Sequence, residues 1–375
     1  MAPRKSSKNI IRIRDGIRSY LRDVDISLIA TAVALSLFSL INIYGLSKTL
    51  GVNYFSKQII YELVGVFLMV LFSFFNYRYL KNYSLPVLIV YLFTVFLLGL
   101  TFLSSTIRNV KSWIVLGGFT FEPSELAKLM IIVVMSKYFS QRHIHINQFR
   151  HTIVAGVYLS VPLLIIVAQP DLGSAIIISL IWFGMLAAAG ISKKHLAILL
   201  FFAAAVAGIS WFAVLRPYQK ERIVSFLNPY NDPRGSDYNL IQSQIAIGSG
   251  HIFGKGFGKG TQTNLGFLPE PHNDFVFASI AEQFGIFGVG LCLAAILFLV
   301  YRILEIGRVT TSNFGKLFSV GMALFIFLHA FVGAGVNIGL MPVTGLPFPF
   351  LSYGGSHYVA LMVGLGILQS IKRYG

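Results

Sequence analysis

The chain has 375 residues, 55% of them hydrophobic and only 12% charged, with a mean hydropathy of +0.74. That balance excludes a soluble domain and points to a polytopic membrane protein. The formal charge of +16 then bears on orientation and on anionic partners, and the single cysteine, Cys292, excludes an intrachain disulfide framework.

In chain order, residues 1–25 form a basic arm with Arg4, Lys5, Lys8, Arg12, Arg14, Arg18 and Arg22. We read it as a juxtamembrane segment facing anionic lipid rather than nucleic acid. No cleavable signal is expected, because the first apolar stretch is long and has no small-residue cleavage site. Apolar runs predict about ten membrane helices, at 26–46, 59–76, 83–103, 124–140, 152–169, 173–190, 195–215, 274–301, 316–337 and 355–371. The expected fold is therefore an all-α polytopic bundle in one integral-membrane domain. With both termini cytoplasmic, 19 of the 30 Lys and Arg residues lie on the inner side or on the arm. His143 and His145 fall in a solvated inner loop on this topology.

One connection breaks the pattern of short loops. Residues 216–273, between the seventh and eighth spans, form a long extracytoplasmic loop. It holds a turn-rich stretch, "NPYNDPRGSDYN", then an apolar periodicity that predicts a short surface helix in "YNLIQSQIAIG". The glycine run "GSGHIFGKGFGKGTQ" follows. It lacks the strand and helix that a dinucleotide site needs. Two readings stand: flexible loop backbone, or N–H groups that meet phosphate oxygens beside Lys255 and Lys259. Arg216, Lys220, Arg222, Arg234, Lys255 and Lys259 make the loop basic and suggest an anionic partner outside the membrane.

On this topology every even-numbered span begins at the outer face. Those four starts read "EPSELAK", "QPDLGSA", "HNDFVF" and "LSYGGSH". Glu125, Asp171 and Asp274 therefore sit at similar depth and can meet around one external cavity. Capping is the competing explanation: Glu125 suits a helix dipole, and Asp171 and Asp274 read as N-caps. Lys128 lies one turn after Glu125 inside an apolar span, where a lysine must be paired or face water. Glu282 either lines the same cavity or bonds a neighbouring helix. The sequence shows no His/Cys cluster with zinc spacing and no nucleophilic serine motif. Its external carboxylates allow a divalent cation, Mg or Mn, without demanding one, and Asp171 is the candidate ligand.

The stretch "YQKERIVSFLNPYNDPRGSDYNLIQSQIAIGSGHIFGKGFGKGTQTNLGFLPEPHNDFVFASIAEQFG" is specific, as are "FEPSELAK", "AQPDLGSA" and "GLPFPFLSYGGS". Together they resemble the SEDS family (shape, elongation, division and sporulation) from about residue 26 to the C-terminus. "YQ…RI", "QSQIAIGSG", "GKG…GTQ" and "FLPE" resemble its elongation branch more than its division branch. The resemblance implies a peptidoglycan glycosyltransferase of ten membrane helices. Such a protein polymerises lipid II at the outer face of the bacterial cytoplasmic membrane, for cell elongation and shape. Its partners are a class B penicillin-binding protein and the rest of the elongation machinery. The family's essential aspartate matches Asp274 in "HNDF", and its cavity residues match Glu125, Lys128 and Asp171. The chain departs from the family pattern at Asn273, Gln283 and His251, usually Thr, Glu and Gly, and at Lys57 before Gln58, where arginine is commoner.

The implied reaction joins a sugar hydroxyl to an anomeric carbon that carries a lipid pyrophosphate. Asp274 is the expected general base. Lys111, Arg216, Arg222, Lys255 and Lys259 are candidates for the leaving pyrophosphate. Glu125, Lys128, Asp171, His272 and Glu282 complete the expected substrate-binding set. Two other readings share these residues: a flippase for the lipid-linked precursor, and a non-catalytic scaffold for a penicillin-binding protein.

Overall fold

The computed structural model describes residues 22–375 except 52, 105–109, 118, 143–148, 229–231, 233, 234 and 236. Most of the expected basic arm, His143, His145 and Arg234 lie outside the described residues. The ten long helices are α1 (Ile26–Leu50), α2 (Tyr54–Phe74), α3 (Ser84–Leu100), α4 (Pro123–Arg142) and α5 (Phe149–Ala168). They continue as α6 (Leu172–Ala189), α7 (Lys193–Ala213), α8 (Val276–Val309), α9 (Asn313–Ile338) and α10 (Gly355–Tyr374). The all-α expectation holds. Among the described residues the only strands are Ile114–Leu116 and Phe119–Phe121, an antiparallel hairpin between α3 and α4.

Eight of the ten helices, all but α4 and α10, are long and apolar enough to cross a membrane by length and composition. α4 and α10 fall short because they form the interior. They bury 15 and 14 of their 20 residues, including Glu125, Lys128, His357 and Gln369. A helix surrounded by protein does not need an apolar surface, and its polar groups find partners inside the bundle. α7 is the opposite case. None of its residues is buried, and Phe201 and Phe212 are 78% and 83% exposed, so its apolar surface suits lipid.

α8 is broken near its start. Gly285 takes φ 69° and ψ −170°, a conformation that only glycine adopts without strain. The break releases backbone groups, and the preceding loop binds them. Lys255 N–H donates to Glu282 O and Gly256 N–H to Gln283 O, while Ile286 and Phe287 donate to His251 O and Ile252 O. Irregular backbone inside a bundle is stable when neighbours satisfy it in this way. Within the glycine run the Lys255 and Gly256 amides are therefore taken by α8, which counts against both a freely flexible loop and phosphate contacts at those two amides. The predicted surface helix is present at Tyr238–Ser249. Its Ser243 hydroxyl donates to Asn337 O at 2.8 Å, which docks it on α9.

At the opposite end of the bundle from the starts of α4, α6, α8 and α10, Asp25 ties three helices together. It caps α1 by accepting from Leu28 N–H at 3.0 Å, and its carboxylate meets Arg302 of α8 and Lys372 of α10. Gln369 of α10 accepts the Asp25 N–H at 2.7 Å. Burial alone would raise the Asp25 pKa. The Ser27 hydroxyl, Arg302, the Leu28 amide and Lys372 outweigh it and hold the group at about 2.

Candidate active site

The starts of α4, α6, α8 and α10 surround a cavity of about 270 Å³. Glu122 lies on its wall just before α4, Asp171 and Ser174 at the start of α6, Asn273 and Asp274 before α8, and His357 in the first turn of α10. The hairpin segment, Arg222 and the loop Thr344–Leu346 close it.

The backbone that carries Asp274 is pinned from two sides. Asn337 of α9 donates from Nδ2 to Asp274 O at 2.9 Å and accepts the Ala278 N–H at Oδ1, 3.0 Å. Asn337 therefore does the capping work at the start of α8. Phe275, not Asp274, holds the N-cap position, and it makes no side-chain cap bond. On the other side, Ser352 Oγ donates to Asn273 O and Tyr353 N–H to His272 O. Gly345 lets the loop pass close to the carboxylate: a Cβ on it would lie 3.9 Å from Asp274 Oδ2. Asp274 therefore does not occupy the N-cap position that the sequence suggested for it. For Asp171 both explanations hold, since its carboxylate caps α6 by accepting from Ser174 N–H at 3.0 Å and also lines the cavity.

Glu125 and Lys128 sit behind the cavity wall and are almost wholly buried. The Lys128 ammonium donates to Glu125 Oε1 at 2.7 Å and meets His329 Nε2 at 3.3 Å. His357 Nδ1 lies 2.8 Å from Glu125 Oε2. Glu122, which the sequence pattern did not single out, takes the place on the wall. Burial raises its pKa, and the negative charges of Glu125 and Asp171 raise it further. The phenol of Tyr353, another wall residue, is pushed up to about 12 by burial and by Tyr61 and Tyr54. It stays a neutral O–H at working pH.

Glu282 belongs elsewhere. Its carboxylate accepts from Gln262 N–H at 2.8 Å, Thr263 N–H at 3.0 Å and the Lys255 ammonium at 3.0 Å, which clamps the long loop onto α8. The alternative of bonding a neighbour is realised, with a loop as the neighbour in place of a helix. Lys255 is drawn away from the cavity by the same clamp. Lys111, Arg216 and Lys259 are exposed and do not line the cavity, although Val110, Ser112 and Trp113 beside Lys111 do. His272 is buried against Tyr54, ring centroids 4.1 Å apart, one layer behind Tyr353. Of the five candidate cations for a leaving group, only Arg222 lines the cavity.

Among the described residues, one group has metal-ligand spacing: Glu125, His329 and His357, whose donor atoms lie within 4.8 Å of one another. Lys128 already occupies it. An ammonium 2.7 Å from the carboxylate and 3.3 Å from an imidazole leaves no place for a second cation. The donor set of this cluster therefore does not fit a divalent ion. Asp171 is no third ligand in any such group among the described residues.

Residues 24–375 match the family model described as cell cycle protein, FtsW/RodA/SpoVE. The chain is 38% identical over 267 residues to the peptidoglycan glycosyltransferase MrdB of Escherichia coli K12, covering 71% of this chain and 72% of that one. It is 33% identical to a probable peptidoglycan glycosyltransferase FtsW of Geobacter sulfurreducens, covering 93% and 95%. Its fold matches a chain from a peptidoglycan synthase complex that coordinates polymerization and crosslinking, with TM-score 0.78, 28% identity, and 93% and 98% coverage. It also matches the rod shape determining protein RodA of Thermus thermophilus, with TM-score 0.69, 25% identity, and 93% and 97% coverage. This chain belongs to the FtsW/RodA/SpoVE family, the SEDS proteins.

Proposed function

We propose that this protein is a peptidoglycan glycosyltransferase that polymerises lipid II, with Asp274 as general base. The observation that carries this reading is the placement of Asp274. Its carboxylate belongs to a cavity wall while Asn337 caps the helix behind it. The acceptor hydroxyl gives its proton to Asp274 as its oxygen forms a bond to the donor's anomeric carbon. The bond from that carbon to the phosphate oxygen breaks, and the electron pair leaves with the lipid pyrophosphate. A single displacement of this kind inverts the anomeric centre. Arg222 is the wall cation best placed for the developing negative charge.

The cavity end faces the outside of the cytoplasmic membrane in this reading, with both termini inside, as the Lys and Arg distribution supports. A class B penicillin-binding protein is the proposed partner, supported by the likeness to a chain of a peptidoglycan synthase complex. The test is polymer formation from lipid II by purified wild type and Asp274→Asn, each with its cognate penicillin-binding protein. Polymer from wild type and none from a folded, partner-bound mutant is the expected result. Equal polymer from both removes Asp274 as the base. No polymer from wild type returns the flippase and scaffold readings.

A further inference from the structure

The buried network behind the cavity can be counted donor by donor. His329 Nδ1 lies 3.1 Å from Pro347 O, which only accepts, so Nδ1 carries the proton. His329 Nε2 is then an acceptor, and the Lys128 ammonium donates to it at 3.3 Å. Lys128 also donates to Glu125 Oε1 at 2.7 Å. Glu125 Oε2 then accepts from His357 at 2.8 Å, which places a proton on His357 Nδ1. Each of these side chains has at least one partner at every polar atom until the last. His357 Nε2 is buried and has no partner in the protein.

The ring cannot turn to hide that atom. It stacks at 4.5 Å on His329 and meets the Phe325 ring at 5.5 Å, and Glu125 holds its other nitrogen. His357 is 94% buried, yet it lines the cavity that contains Asp274. Buried polar atoms are usually paired, and this unpaired one belongs to a residue that lines the cavity. With Nδ1 held by Glu125, Nε2 is the ring atom left to meet a ligand.

We propose that His357 is a substrate-contacting residue, whose Nε2 forms a hydrogen bond with a hydroxyl or the acetamido group of a lipid-linked sugar in the cavity. The sugar chemistry rests on the glycosyltransferase reading above. Glu125, Lys128 and His329 are then positioning residues that fix the tautomer and the ring.

The test uses the full chain with its cognate penicillin-binding protein and lipid II. His357→Asn keeps a side-chain N–H near the Nδ1 position for Glu125 and removes Nε2. We expect its thermal unfolding to stay close to wild type while kcat/KM falls about tenfold, the effect of one lost neutral hydrogen bond. Lipid II analogues that each lack one sugar hydroxyl or the acetamido N–H supply the second arm. One analogue should cost wild type about tenfold and cost His357→Asn nothing further, because both changes remove the same bond. A variant with wild-type kinetics, or analogue losses that simply multiply with the variant's loss for every analogue, overturns the contact. If wild type itself makes no polymer, the glycosyltransferase reading falls and the contact with it.

Discussion

Two buried carboxylates, at opposite ends of the bundle, each meet two basic side chains, and they differ in how their networks end. Asp25 accepts from Ser27, Leu28, Arg302 and Lys372, and the one atom its network leaves over, Arg302 Nε, lies at the end of the bundle away from the Asp274 cavity. Glu125 accepts from Lys128 and His357, and its network ends on a nitrogen at a cavity wall. The first joins α1, α8 and α10 and is closed off from the cavity. The second holds α4, α9 and α10, and its unsatisfied atom belongs to a residue that lines the same cavity as Asp274. A closed network serves the fold alone, whereas an open one serves the fold and a ligand.

The largest expected effect comes from breaking the open network at its centre. Lys128→Met leaves the Glu125 carboxylate buried with only the imidazole of His357. Removing one partner of a buried pair typically costs about 3–5 kcal/mol. We expect a large drop in thermal stability in detergent, with loss of polymerisation per folded molecule as well. Glu125→Gln combined with Lys128→Met should recover stability, because no uncompensated charge remains, but should not recover polymerisation. Recovery of both would show that the network serves the fold alone, like that of Asp25.

The closed network gives the contrasting result. Asp25→Asn weakens two charged contacts that are partly open to solvent, at about 1.5–3 kcal/mol, and leaves the cavity end untouched. Unfolding temperature should fall while the specific activity of folded protein holds. The effect carries a pH signature. The folded-state pKa of Asp25 is about 2, below its ordinary 3.8, so its contribution is full above the ordinary value and is lost as pH falls through the folded one. The stability gap between wild type and Asp25→Asn should therefore narrow between about pH 4 and pH 2. A gap that widens on acidification would contradict the assignment of Asp25 as the ionised hub.

The ten helices were legible in the sequence because run length and apolar content are local properties. Asp171 and Asp274 were legible as well, since the starts of alternate spans must share one face of a membrane. What stayed hidden depends on contacts made across the bundle. His329 is a lone histidine in an apolar run until α4 sets Lys128 against it. Asn337 sits near the end of α9, 59 residues beyond the amide it caps. The role of Glu282 depends on the break at Gly285, which brings residues 251–264 down onto α8. The hairpin before α4 has three-residue strands, too short for any periodicity to register.

Glu282 supplies a third network for the same comparison, closed like that of Asp25 but attached to a loop. Glu282→Gln keeps the shape and removes the charge that holds Lys255, Gln262 and Thr263. We expect a smaller global loss, about 1–2 kcal/mol, and a local opening of residues 250–264. Amide hydrogen exchange across that segment should rise well before exchange in α4 or α10 does. Unchanged exchange there would mean that the backbone bonds to the Gly285 break hold the loop without the carboxylate.

The smallest expected change in stability tests the cavity wall itself. Gly345 adopts φ 73°, where alanine is strained by about 1 kcal/mol. A methyl group there would sit in ordinary contact, 3.9 Å from Asp274 Oδ2, without displacing it. Gly345→Ala should therefore lower the unfolding temperature only slightly. Its effect on polymerisation should be larger than its effect on folding, because the methyl group occupies space beside the base that a substrate hydroxyl must reach. If activity falls only in step with stability, the approach to Asp274 does not pass this face of the loop, and the hydroxyl must come from the side of Asp171 and His357.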